Sequence, residues 1–145
     1  MSAPRFTHID HCSVIVTDVA RSRDFYGRVL GLREIAAPKE FDFVAIWYDL
    51  GGTYLHLLVK PQPDTTSPRH FCLHTPDIAE ARSHFRSLGV PIEETVKIAA
   101  ADRFFVRDPD GNRIELLNWS RPFDPTTDGR LACETASPQK SNGAT

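Results

Sequence analysis

The sequence predicts an α+β protein built from two tandem βαβββ modules, and three observations predict it. A strand-then-helix opening occurs twice, each copy closes on two strands joined by a glycine-containing turn, and potential metal ligands recur at one spacing in both copies. The two openings read Ile9-Asp10-His11-Cys12-Ser13-Val14-Ile15-Val16-Thr17-Asp18 and Pro68-Arg69-His70-Phe71-Cys72-Leu73-His74-Thr75-Pro76-Asp77. In each, a histidine leads a short apolar run of strand length, and an aspartate follows it by seven residues.

The elements follow in order. After the first strand, Val19, Tyr26, Val29 and Leu30 recur at helical spacing, with Asp18 placed to cap the N-terminus and Gly31 to end the helix in the left-handed conformation. In the second copy Ile78, Ala81, Phe85 and Leu88 repeat that pattern between Asp77 and Gly89. A weaker strand comes next in each copy, near Arg33–Ala36 and Ile92–Lys97. Two strands then close each module. In the first copy these are Phe43–Tyr48 and Tyr54–Val59 around Asp49–Thr53, and in the second Arg103–Val106 and Arg113–Asn118 around Asp108-Pro109-Asp110-Gly111-Asn112. Asp-Gly between β-rich runs is a strong hairpin signal. The expected organisation is a first module over 8–60, a proline-rich linker over 61–69, a second module over 70–119, and an irregular tail over 120–145 rich in Pro, Ser, Thr, Asp and Gly.

Composition narrows the function classes. The chain has 145 residues, 17 Lys and Arg against 19 Asp and Glu, and a formal net charge of −2, which argues against a nucleic-acid partner. No apolar run approaches the roughly 20 residues of a membrane helix, and Met1–Thr7 holds no signal-peptide apolar region. Cys12, Cys72 and Cys133 form no C-x-x-C, so neither a disulfide framework nor a cysteine zinc site is expected. A cytoplasmic protein, not associated with membranes, is the expectation.

The histidines sharpen it. His11 and His56 stand 45 residues apart, as do His70 and Glu115, and Gly52 and Gly111 each precede the second member by four. One potential ligand therefore sits on the first strand of each module and another on the last. Histidine and carboxylate suit borderline divalent metals. Strand alternation places His11 with Ser13 and Ile15, His56 with Tyr54 and Leu58, His70 with Cys72 and His74, and Glu115 with Arg113 and Leu117. If each module curls into a half-barrel, the four side chains converge on one cavity. Taken singly, a histidine or glutamate on a strand is more often a surface or hydrogen-bonded residue than a ligand; the duplicated spacing is what raises the set.

These residues carry a family resemblance. His8-Ile9-Asp10-His11 through Asp24-Phe25-Tyr26-Gly27-Arg28-Val29-Leu30-Gly31-Leu32, and Phe105-Val106-Arg107-Asp108-Pro109-Asp110-Gly111-Asn112-Arg113-Ile114-Glu115-Leu116, resemble the vicinal oxygen chelate superfamily, also called the glyoxalase/bleomycin resistance/dioxygenase group. The resemblance spans about His8 to Asn118. It implies two βαβββ modules forming an open mixed β-barrel around one divalent ion (Ni, Zn, Mn, Co or Fe), held at the positions of His11, His56, His70 and Glu115, usually in a homodimer. The place of His56 holds glutamate or glutamine in many members.

Such a fold hosts several chemistries, so function has to come from the site. With four ligands, an ion keeps two adjacent positions for neighbouring substrate oxygens and acts as a Lewis acid on an enediolate. This favours a glyoxalase I-like lyase or isomerase acting on a small molecule with adjacent oxygens, with Glu115 or His56 as candidate catalytic base. If His56 stands off, His11, His70 and Glu115 form the facial triad suited to ferrous iron, and extradiol ring cleavage becomes the alternative. That alternative lacks the tyrosine expected before the metal-binding glutamate, where the chain reads Arg103-Phe104-Phe105, and the glutathione-dependent reading lacks a clear tripeptide-binding cluster. A second alternative is a non-catalytic drug- or metabolite-binding protein. His74, Trp47 and Arg103 are candidate outer contacts or substrate contacts, while Phe43, Trp47 and Tyr48 are more simply read as packing. The site forms either within one chain or between His11 and His56 of one chain and His70 and Glu115 of another.

Overall fold

A computed structural model describes residues 3–132. The tail expected beyond residue 132, Cys133 included, lies outside the described residues. Among the described residues, eight strands form two separate four-stranded mixed sheets, neither closed into a barrel. The first contains β1 (His11–Val16), β2 (Arg33–Ile35), β3 (Ala45–Asp49) and β4 (Tyr54–Val59) in the order β1-β4-β3-β2. The second contains β5 (His70–His74), β6 (Glu93–Glu94), β7 (Ala101–Arg107) and β8 (Arg113–Trp119) in the order β5-β8-β7-β6. In both, the first strand pairs parallel with the last, and the others pair antiparallel. The duplicated α+β architecture expected from sequence is the observed one.

Helix α1 (Val19–Arg23) opens on Asp18, whose carboxylate accepts the Arg21 amide, and α2 (Ile78–Ser87) opens on Asp77, which accepts the Ala79 and Glu80 amides. Gly31 and Gly89 take the left-handed conformation at φ 71° and 68°, as their positions after the helices require. The first helical run differs from a plain α-helix: Asp24–Val29 forms a π-helical turn, in which the Leu30 amide reaches the Phe25 carbonyl at 2.8 Å. The wider turn allows the consecutive Phe25 and Tyr26, with Val29, all to be buried. A short α3 (Pro125–Asp128) closes the described chain.

Alternation divides each sheet into two faces. Ile46, Tyr48, Leu55 and Leu57 from the first sheet, and Phe104, Val106, Ile114 and Leu116 from the second, pack with Phe25, Tyr26, Val29 and Phe85 in one continuous core. The opposite faces carry His11, Trp47 and His56 in one sheet and His70, Phe105 and Glu115 in the other. On β1 and β5, both sheet edges, His11, Ser13, His70, Cys72 and His74 are exposed while alternate residues are partly covered. No helix among the described residues is long and apolar enough to cross a membrane.

Candidate metal centre

The four candidate ligands meet in pairs, one pair on each sheet. On the first sheet the rings of His11 and His56 stack with centroids 4.3 Å apart, and His56 in turn lies 3.7 Å from the Trp47 ring. On the second, His70 Nε2 is 3.0 Å from Glu115 Oε2. Among the described residues of this single chain, no group of three or more His, Cys, Asp or Glu side chains is arranged to hold a metal ion. Within one chain the duplicated spacing thus produces two separate pairs, not one four-residue cluster.

Both edge histidines are oriented through Nδ1. His11 Nδ1 lies 2.8 Å from Asp10 Oδ2, and His70 Nδ1 lies 2.8 Å from the Pro68 carbonyl oxygen. A carbonyl only accepts, so Nδ1 of His70 carries the proton; the Asp10 carboxylate imposes the same arrangement on His11. Nε2 is then the atom that each ring presents away from these partners. Metal-ligating histidines are characteristically held in this way, through the second nitrogen. Both His70 nitrogens thus lie against acceptor oxygens, and the Nε2–Oε2 contact needs a proton or a cation between the two groups. His56 Nε2 is buried and has no hydrogen-bond partner. Desolvation, then the neighbouring His11, lowers the His56 pKa and favours its neutral ring. This nitrogen, oxygen donor set suits a borderline divalent ion.

The remaining candidates divide between the two sheets. Arg103 Nη1 donates to Glu115 Oε1 at 2.9 Å, so both carboxylate oxygens are engaged, and the Glu115 side chain is only 8% exposed. Trp47 lies on the ligand face and its indole N–H is buried without a partner, whereas Tyr48 points into the core. Phe43 is half-exposed on the approach to β3 and stacks on Phe41. His74 is exposed at the end of β5. Cys72 shares the His70 face; partial desolvation, then the Glu115 carboxylate, pushes its thiol up to about 12, against a nucleophilic role. Asp10 and the Pro68 carbonyl are the site groups that the sequence did not single out.

A model of the glyoxalase/bleomycin resistance protein/dioxygenase superfamily matches residues 8–116. The chain belongs to this superfamily. The match includes His11, His56, His70 and Glu115, and so covers both pairs. Among relatives, the superfamily protein glyoxylase I 4 of Arabidopsis thaliana is 27% identical over 123 residues, covering 77% of this chain and 71% of the relative. A lactoylglutathione lyase of Pseudomonas putida is 25% identical over 146 residues, covering 74% of this chain and 83% of its own. A glyoxalase family protein from Bacillus anthracis has a similar solved structure, with a TM-score of 0.76 and 25% identity over 82% of this chain and all of that one. Superfamily members typically use a divalent metal, and the glyoxalase relatives act on small molecules.

Proposed function

We propose that the protein is a divalent-metal-dependent, glyoxalase I-like lyase or isomerase, acting on a small molecule with two adjacent oxygens. The observation that carries this reading is the His70–Glu115 pair: Nδ1 is committed to Pro68, and Nε2 faces a buried carboxylate oxygen at 3.0 Å. The relatives named glyoxylase I and lactoylglutathione lyase support the reaction class. His11, His70 and Glu115 would hold the ion, with His56 as fourth ligand or base. Because each sheet offers two donors, we infer a homodimer in which His11 and His56 of one subunit face His70 and Glu115 of the second.

A bound ion would supply Lewis acidity to the two substrate oxygens. The chain's own groups position and move the proton. Arg103 fixes the Glu115 carboxylate from one oxygen, leaving Oε2 directed at the His70 side. His56 presents a neutral ring whose Nε2 has no competing donor. Trp47, flat against His56, restricts the tilt of that ring.

The alternative is extradiol ring cleavage. It is favoured by the enclosure of His56 Nε2 within the Trp47–His56–His11 stack, which would leave His11, His70 and Glu115 as a facial triad. Purified protein should carry stoichiometric divalent metal, lose turnover on chelation, and turn over equally with and without oxygen. Protein free of metal at full folding would support a non-catalytic binder, and catechol cleavage under air would support the dioxygenase. The His56→Ala variant separates the two roles of that residue: a ligand loses metal, a base keeps metal and loses turnover.

A further inference from the structure

Beside His70, on the linker side, lies a pocket of about 190 Å³ whose mixed lining includes Val14, Asp64, Thr65, Thr66, His70 and Arg113. Pockets that take a whole small molecule are commonly about 300–1,000 Å³, so this one has room for a single group of a larger ligand. The charges around it identify that group. Arg69 is held by Asp64 and Ser67, Arg107 by Glu93 at 2.7 Å, and Arg103 by Glu115 at 2.9 Å. Among the described residues, Arg113 differs from these in making no hydrogen bond through its Nε, which only an ion pair to Glu93 at 3.4 Å approaches. Its guanidinium carbon lies 3.5 Å over the Phe105 ring, and its Nε is buried without a hydrogen-bond partner. Glu93 bonds Arg107 through Oε1 and reaches the Arg113 Nε with Oε2 at 3.4 Å, which leaves the Arg113 Nη groups as the donors on offer. The Thr65 and Thr66 hydroxyls make no side-chain hydrogen bond with other described residues and add donors to the wall.

A planar guanidinium braced on an aromatic ring, with donors to spare, matches the geometry of an oxyanion. We propose that this pocket is an oxyanion subsite, where Arg113 recognises a carboxylate or phosphate group carried by the substrate. The inference deepens the proposed function and rests on it insofar as His70 belongs to the reaction site. The strand register places Arg113 directly opposite His70 on β5, so an anion held here is a neighbour of the candidate metal ligands. The substrate would then carry its charge one group away from its adjacent oxygens.

The test uses metal-free full-length protein titrated separately with inorganic phosphate and with acetate, followed through backbone amide shifts, alongside metal affinity from chelator competition. Saturable shifts are expected at residues 64–69 and 111–113, and the tighter arm names the group. Arg113→Gln should weaken that arm about 10-fold or more, the scale of a lost charge-assisted pair, with metal affinity and thermal midpoint essentially unchanged. Arg113→Lys, which keeps the charge and loses the fork, should fall between wild type and the Gln variant. Absence of saturation by either anion, a Gln variant that binds as wild type does, or a Lys variant at least as tight as wild type would overturn the proposal. An Arg113-dependent anion site in a protein that binds no metal would uphold the subsite while refuting the metal-dependent reading.

Discussion

The orientation of His11 is set by one exposed neighbour. Asp10 and His11 form a contact at 2.8 Å with side chains 70% and 49% exposed, so as an ion pair it contributes little to stability, about 0–1 kcal/mol. Its consequence lies in the ring: fixing the proton on Nδ1 presents Nε2. Outer partners of ligating histidines are typically worth about 10–100-fold in metal affinity. Asp10→Ala should therefore weaken metal binding by about that factor in chelator competition, with the urea midpoint unmoved. Unchanged affinity would remove Asp10 from the site. The four candidate ligands were legible in the sequence because duplication repeats their spacing. Asp10 was not, because alternation along a strand sends adjacent side chains to opposite faces. It escapes that rule by preceding β1, where its carbonyl accepts the Tyr54 amide and its side chain turns back to His11. Trp47 was legible as an aromatic on β3 and illegible in its facing, which depends on the register that sets it opposite His56.

At the scale of the element, the turn Asp108–Asn112 does more than join β7 to β8. Asp108 Oδ1 accepts the Asp110 and Asn112 amides, which shapes the turn, while Oδ2 accepts the buried Tyr26 hydroxyl at 2.7 Å. Asn112 Nδ2 donates to the Ile15 carbonyl, and Asp110 accepts from the Thr17 amide and hydroxyl. The equivalent turn in the first module is held locally, by Asp49 to Gly51 and by Thr53 to Leu50. Sequence alone identified both hairpins, since Gly and Asp act locally. It did not show that one of them docks the modules, because Tyr26 and Ile15 lie 82 and 97 residues from their partners. Tertiary bonding also shortens β6: the Val96 carbonyl, within the strand expected over Ile92–Lys97, accepts from Arg103 Nε instead. Tyr26→Phe preserves the packed ring and removes one bond to a buried carboxylate, so a loss of about 1–3 kcal/mol is expected from urea unfolding. Metal affinity should hold, since no candidate ligand contacts Tyr26; a neutral effect on stability would mean that the turn does not brace the two modules.

At the scale of the whole molecule, the arrangement of faces decides what one chain achieves alone. Both modules direct their apolar faces into a shared core, which leaves the ligand faces on the other side of each sheet, with His11 and His70 exposed on edge strands and His56 and Glu115 buried. Exposed apolar residues flank these strands: Ile9 at 75%, two residues before β1, and Val96 at 72%, before β7. In the proposed homodimer a second copy related by a twofold axis would bring a first-module pair opposite a second-module pair twice over, giving two equivalent sites. This arrangement makes a prediction that no single-chain site shares. His11→Ala and Glu115→Ala homodimers should each be inactive and metal-poor. In a heterodimer of the two, one site combines both altered residues and the other contains neither. Random exchange in an equal mixture should therefore restore about a quarter of the wild-type sites, from half of the dimers being mixed with one intact site each. Recovery of metal and turnover after co-refolding, set against the unmixed variants, measures that fraction. If the mixture stays as inactive as its components while light scattering shows that subunits have exchanged, the site does not lie between the chains.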